Sequence, residues 1–125
     1  MKASNAALSA EFGTSVAISG DTAIVGATGE SSSQTTITNG MTSNSTNTLT
    51  PGSYGATYIY KRTGTSWAQE AYVKASNTDP SDFFGFSVDV SGDTVIVGAV
   101  GEASNQTTIT NGTTASNDNT LKTQL

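Results

Sequence analysis

The chain has 125 residues, which suits one domain and is too short for two ordinary ones. It contains no His and no Cys, which excludes a Ser-His-Asp triad, His- or Cys-ligated zinc and disulfide bonds. The net charge of −5 and the pI of about 4.2 argue against nucleic acid as a partner and against an anionic membrane surface. No apolar run approaches the length of a membrane span, so membrane insertion is not expected.

Short strands separated by polar turns follow one another from the N-terminus. Residues 14–19 alternate apolar and polar side chains, which indicates a strand with one apolar face. A tight Ser-Gly-Asp turn leads to the apolar run 22–27, which is typical of a strand buried on both faces. A polar stretch over 29–54 comes next, and no segment has helical periodicity with caps. The four predicted strands span residues 14–19, 22–27, 55–62 and 67–74.

The same pattern returns after 72 residues. Residues 12–27 read FGTSVAISGDTAIVGA, and residues 84–99 read FGFSVDVSGDTVIVGA. Four short strands repeated at a fixed period predict an all-β chain of antiparallel four-stranded propeller blades, with about one and three-quarter repeats. Further matches pair residues 2–5 with 74–77 and residues 34–40 with 106–112. The predicted domains are a first repeat over 1–73 and a second, incomplete repeat over 74–125.

These residues resemble the FG-GAP repeats of integrin α-subunits and of bacterial surface proteins. Phe-Gly stands at 12–13 and 84–85, and Gly-Ala stands at 26–27 and 98–99. The Pro of the family name is replaced by Thr28 and Val100, while the strand from Gly55 to Tyr60 and Trp67 match the bacterial versions. The resemblance implies a propeller exposed outside the cell and used for adhesion or ligand binding.

The resemblance also raises the question of calcium, which some family members bind in an Asp-rich loop between the first two strands. Here the corresponding turns carry one carboxylate each, Asp21 and Asp93, whereas Ca²⁺ takes six to eight oxygen ligands. We therefore expect no cofactor and do not transfer the calcium site. Asp79 and Asp82 in the linker between the repeats are the remaining metal candidates, although turn chemistry is the favoured interpretation.

The two polar loops, 29–54 and 101–120, are the most suggestive feature of the sequence, because loops of this length are usually functional or disordered. Within them, 35–40 and 107–112 read as extra strands that end in Asn-Gly turns and offer edges for pairing with another chain. The candidate ligand or assembly residues are Glu30, Gln34, Thr36, Asn39, Glu102, Gln106, Thr108 and Asn111.

The aromatic side chains of the strands are predicted to pack in the core, although exposed rings would instead form a platform for carbohydrate. The set comprises Tyr58, Tyr60, Trp67, Tyr72, Phe84 and Phe86.

Three functions are compatible with the sequence. The first is a non-enzymatic adhesion or binding module, extracellular or at the cell surface, with a protein or carbohydrate ligand and an export signal outside this chain. The second is a self-assembling subunit, because the last hairpin leaves an open edge and unburied apolar residues at Val95, Ile96 and Val97. The third is an accessory propeller of a larger secreted enzyme.

Overall fold

The structure is a computed structural model that describes residues 1–40, 52–109 and 112. All regular structure in these residues is β-strand, as predicted, and within them no helix is long and apolar enough to cross a membrane. The strands are β1 Phe12–Ser19, β2 Thr22–Ala27, β3 Thr38–Asn39, β4 Ala56–Thr63, β5 Ser66–Val73, β6 Phe84–Ser91 and β7 Thr94–Ala99.

The first repeat forms an antiparallel sheet in the order β1-β2-β4-β5-β3. Its four long strands are the predicted blade, and their bounds agree with the predicted ones within two residues. The fifth strand, β3, comes from the first polar loop and pairs with the outer edge of β5, where Thr38 faces Tyr72. A strand was predicted over 35–40, and the structure forms it at Thr38–Asn39, where one side of β3 pairs with its own blade.

The second repeat forms a two-stranded sheet of β6 and β7. Both repeats contain the same irregularity in the first strand, between Phe12 and Val16 and between Phe84 and Ser87. The second polar strand expected over 107–112 is not found at 107–109, and Thr110 and Asn111 lie outside the described residues.

One face of the first blade holds the aromatic core. Tyr58 and Tyr72 are fully buried beside Ala23 and Val25, and Phe12 packs edge-on against Tyr58 with 5.3 Å between the ring centroids. The prediction of core packing is thus confirmed for the tyrosines of β4 and β5. It is wrong for Phe86, whose side chain is half exposed.

The opposite face of the first blade meets the second repeat. Ile24 is completely buried there, and β6 packs against β1 and β2. The backbones approach so closely that a Cβ on Gly26 would lie 2.0 Å from the carbonyl oxygen of Gly85. The glycine of the first Gly-Ala pair therefore makes room for the second Phe-Gly pair.

All strand connections that carry candidate residues meet at one end of the blades. Phe12 faces Ala27, Ala27 faces Ala56, and Thr57 faces Val73, so the residues beyond these positions leave the sheet together. We call this the loop end. The tight hairpin turns lie at the opposite end.

Candidate functional site

A buried polar cluster occupies the loop end of the first blade, with the carboxylate of Glu30 at its centre. Glu30 Oε2 pairs with Lys74 Nζ at 2.7 Å and accepts a hydrogen bond from Ser32 Oγ at 3.1 Å. Glu30 Oε1 accepts hydrogen bonds from the Ser32 backbone N–H at 3.0 Å and from Asn5 Nδ2 at 3.2 Å. Every lone-pair direction of this carboxylate therefore has a donor, as a buried charge requires.

The cluster extends to two tyrosines. Ser32 Oγ shares a hydrogen bond of 2.6 Å with the hydroxyl of Tyr72, and the Tyr58 hydroxyl donates to Asn5 Oδ1. Lys74 Nζ also donates to the backbone carbonyl of Gly55 at 2.6 Å. The cluster thus joins the N-terminal segment, the first polar loop and the end of β5.

Burial dominates the electrostatics of these groups. Burial lowers the pKa of Lys74, against the opposing effect of the neighbouring Glu30 carboxylate. Burial also raises the pKa of Tyr58 and of Tyr72, and the Glu30 charge acts in the same direction. Tyr60, which donates its hydroxyl to the Lys2 carbonyl at 2.8 Å, has its pKa raised by burial to about 12.

Glu30 was a candidate for contact with a ligand, and the structure corrects this interpretation. Its side chain is 3% exposed and fully hydrogen-bonded, so it ties the loop to the blade. Glu30 recurs as Glu102 and Lys2 recurs as Lys74 after 72 residues, but this recurrence does not indicate which glutamate pairs with which lysine.

Glu102 stands at the equivalent position in the second repeat but is exposed. It accepts hydrogen bonds from Asn77 Nδ2 at 3.1 Å, from the Ser104 N–H at 2.8 Å and from Ser104 Oγ at 3.1 Å. These contacts repeat those that Asn5 and Ser32 make to Glu30. Among the described residues, however, no cationic side chain pairs with Glu102.

The linker over residues 74–77 connects both clusters. Lys74 at its start binds the Glu30 carboxylate of the first repeat, and Asn77 at its end binds the Glu102 carboxylate of the second. The Lys-Ala-Ser-Asn sequence at 2–5 repeats this linker, and its Asn5 already binds Glu30 as Asn77 binds Glu102.

The other candidate residues of the polar loops have structural contacts or are exposed. Gln34 Nε2 donates to the Thr36 carbonyl at 2.9 Å, and Gln106 Nε2 donates to the Thr108 carbonyl at 2.8 Å, so these two glutamines shape equivalent turns. Thr36 and Thr108 expose their side chains. Asn39 is an exposed residue of β3, and Asn111 lies outside the described residues.

A depression of about 420 Å³ brings parts of both repeats together at the loop end. Among its described lining residues, Thr35, Thr36 and Ser76 carry hydroxyl groups, which can hydrogen-bond to a polar ligand, while Ile37 adds an apolar contact. The lining residues are Thr35, Thr36, Ile37, Lys74, Ser76 and Gly112. Among the predicted candidates that the structure describes, Thr36 is the one that contributes to it.

Asp79 and Asp82 lie in the linker, and their contacts are those of a turn. Asp82 Oδ2 accepts the N–H of Asp79 at 2.8 Å, and the Asp82 N–H faces the Asp79 carbonyl at 3.3 Å. The Asp82 side chain is buried, and no cluster of three or more potential metal ligands occurs within residues 1–40, 52–109 and 112.

Antiparallel blades, repeated along the chain and stacked through Gly-Gly contacts, define a repeat protein of the β-propeller type. A family model described as FG-GAP repeat matches residues 1–45 and 67–114. The chain therefore belongs to the FG-GAP repeat family, as its sequence motifs predicted. No curated protein and no solved structure matches the chain significantly.

Proposed function

We propose that this chain is a non-enzymatic binding module of an extracellular or cell-surface propeller, which holds a protein or carbohydrate ligand at the loop end. The observation that carries the proposal is the depression at the loop end, to which both repeats contribute and where Thr35, Thr36 and Ser76 present hydroxyl groups. Its nearest charged group, Lys74, is already neutralised by Glu30, so the walls offer hydrogen bonds and little net charge. Such a surface favours neutral polar ligands.

The rigid base of the depression supports the same proposal. Lys74 and Ser76 belong to the linker that the Glu30 and Glu102 clusters hold at its two ends. The wall formed by Thr35 and Thr36 is held by the Gln34 side chain and by the pairing of β3 with β5. A preorganised site loses less conformational entropy when a ligand binds.

The test is a titration of the isotope-labelled chain with a panel of neutral oligosaccharides, followed by NMR. We expect chemical-shift changes at Thr35, Thr36 and Ser76, and we expect Thr36→Val to weaken binding. Thr65→Val is the matched control, because Thr65 is an exposed threonine in a hairpin turn at the opposite end. The proposal would be contradicted if no chemical shift changed with oligosaccharides and the chain also failed to bind immobilised surface proteins. Turnover of a ligand would contradict it as well.

Self-assembly is the second candidate function, and one comparison within the chain favours it. Ile24 is 0% exposed in the first repeat, whereas Ile96, its counterpart in the second, is 64% exposed. An exposed apolar face of this kind is typical of an association surface. Light scattering coupled to size exclusion should show a mass that rises with concentration, and a monomer at every concentration would exclude this function.

A further inference from the structure

The contact between the two repeats shows which surfaces of this chain fit each other. In β6, Val88 and Val90 point away from the exposed Ser87 and Asp89, and Val90 is 8% exposed, so the valine face meets the first blade. On the first blade, Ile24 is buried at this contact.

Two backbone-level contacts define the same interface. Ser15 Oγ donates to the Gly85 carbonyl at 2.7 Å, and the Gly85 backbone lies against Gly26. Both contacts involve residues that recur after 72 positions, as Ser87, Gly98 and, in the other direction, Gly13. The residues that form this interface therefore occur twice in the sequence.

Each half of this interface is present a second time on an open surface. Val16 and Ile18, the counterparts of Val88 and Val90, are 67% and 66% exposed on the first blade. Ile96, the counterpart of Ile24, is exposed on the second repeat. Nothing lies within 4 Å of the position that a Cβ would occupy on Gly13, whereas its counterpart Gly85 contacts Gly26. The chain thus carries one unused copy of each complementary face, at opposite ends of the stack.

The charged residues at the loop end also occur in two copies, one in contact and one exposed. Lys74 binds the carboxylate that lies 44 positions earlier, in the repeat before it. Lys2 is the counterpart of Lys74 and is exposed, and no carboxylate of the described residues pairs with it. Glu102 is the counterpart of Glu30 and has its Asn and Ser donors in place, but within the described part of the chain no lysine pairs with it. Within residues 1–40, 52–109 and 112, a cation is thus lacking at Glu102 and a carboxylate is lacking at Lys2.

We propose that a second copy of this chain docks head to tail on the open face of the second repeat. The second copy is placed relative to the first copy as the second repeat is placed relative to the first repeat. It places Val16 and Ile18 of the second copy on Ile96, and it brings the Lys2 ammonium of the second copy to Glu102. The Ser87 hydroxyl then donates to the second copy's Gly13 carbonyl, as Ser15 donates to Gly85.

Such a contact is heterologous, because it joins two different surfaces, so its repetition gives a closed ring or an open filament and not a twofold dimer. The inference rests on the self-assembly proposed above and specifies its geometry. Asp89 lies on the open face of the second repeat, at the position that Ala17 occupies in the first. Its charge slightly opposes the docking of an apolar face there. Asp89→Ala should therefore strengthen association.

The experiment joins carboxylates to amines with a zero-length carbodiimide in a mixture of ¹⁴N- and ¹⁵N-labelled chains. We expect a cross-linked peptide pair containing Lys2 and Glu102 with mixed isotope labels, which proves that the bond joins two chains. Lys2→Glu and Glu102→Lys should each weaken association about tenfold or more, and mixing the two variants should restore it, because the opposite charges then meet again.

The outcomes separate the interface from self-assembly itself. Association that persists unchanged in Glu102→Lys, without the Lys2–Glu102 cross-link, would overturn this interface while self-assembly stands. A monomer at all concentrations would overturn both. A cross-link from Glu102 to Lys122 with unmixed labels would mean that the chain fills the site itself, and would also overturn the interface. Circular dichroism of Glu102→Lys should match the parent, since Glu102 is exposed.

Discussion

Glu30 and Glu102 occupy the same position in the repeat but differ in environment. Both accept hydrogen bonds from an Asn 25 positions earlier and from a Ser two positions later in the loop. In the described structure, only Glu30 of the two is buried and paired with a lysine. The same side chain therefore ties the loop to the blade in one repeat and is exposed in the other.

Replacement of these two glutamates should have different effects on stability. Glu30→Gln leaves the buried Lys74 without its paired carboxylate, and breaking a buried pair in this way costs about 3–5 kcal/mol. Glu102→Gln removes an exposed charge and should change the free energy of unfolding by less than about 0.5 kcal/mol. Urea denaturation at low protein concentration measures both, and equal losses would contradict the structural role of Glu30.

Alkaline pH should destabilise the fold through its tyrosines. Tyr58, Tyr60 and Tyr72 have pKa values raised by burial, so above pH 10 the unfolded chain loses these protons before the folded chain does. The free energy of unfolding must then fall as pH rises, with a slope of up to about 1.4 kcal/mol per pH unit for each tyrosine. Lys74 acts in the opposite sense near pH 10, because burial lowers its pKa in the folded chain, and this effect fades as pH rises past the ordinary lysine pKa of 10.5.

Tyr60→Phe is the test of this assignment. The pKa of Tyr60 is raised to about 12. Tyr60→Phe should therefore reduce the fall of the unfolding free energy with pH between pH 10 and 12 by one tyrosine's contribution. Chemical denaturation at several pH values gives the slope. An unchanged slope in Tyr60→Phe would show that the Tyr60 proton does not contribute.

At the scale of strands, β2 and β7 share a sequence pattern but not their surroundings. β2 pairs on both sides, with β1 and β4, and all six of its residues are buried. β7 pairs with β6 alone among the described strands. Gly26 in β2 touches the next repeat, whereas a Cβ on Gly98 in β7 would meet only the Ser87 hydroxyl and Ser87 atoms at longer range.

Substitution of each of these two glycines by alanine should reveal the difference between their environments as a difference in lost stability. Gly26→Ala forces a Cβ against the Gly85 backbone and should cost about 1–3 kcal/mol, as overpacking does. Gly98→Ala should cost less, because the Ser87 side chain can rotate away. Thermal or urea unfolding of dilute protein gives both values, and the reverse order would contradict the described interface.

The elements were predictable from sequence because their signals are local. Tight Ser-Gly-Asp turns and apolar runs define β1 and β2, and the bounds of β2 were predicted to the residue. Contacts between distant segments were not predictable in this way. The pairing of β3 with β5 and the ion pair of Glu30 with Lys74 both depend on how the loop returns across the blade, and local preference does not determine that path.

At the scale of the whole molecule, the two repeats should differ in local stability. Amide hydrogens of β2 and β4 lie inside a five-stranded sheet, whereas β7 has one outer edge without a partner strand in the described structure. Hydrogen exchange of dilute protein should therefore be slower for peptides containing Ile24 than for those containing Ile96. Equal protection of the two peptides would contradict this picture of the second repeat.

The linker over 74–77 also determines how the stability of the chain is distributed. Lys74 binds the carboxylate of the first repeat, and Asn77 binds the carboxylate of the second. Unfolding of either repeat therefore removes a binding partner from the other. In the statistical mechanics of linear arrays this is a nearest-neighbour coupling. A single unit has no such coupling, and each added unit contributes one, so stability grows faster than in proportion to the number of units.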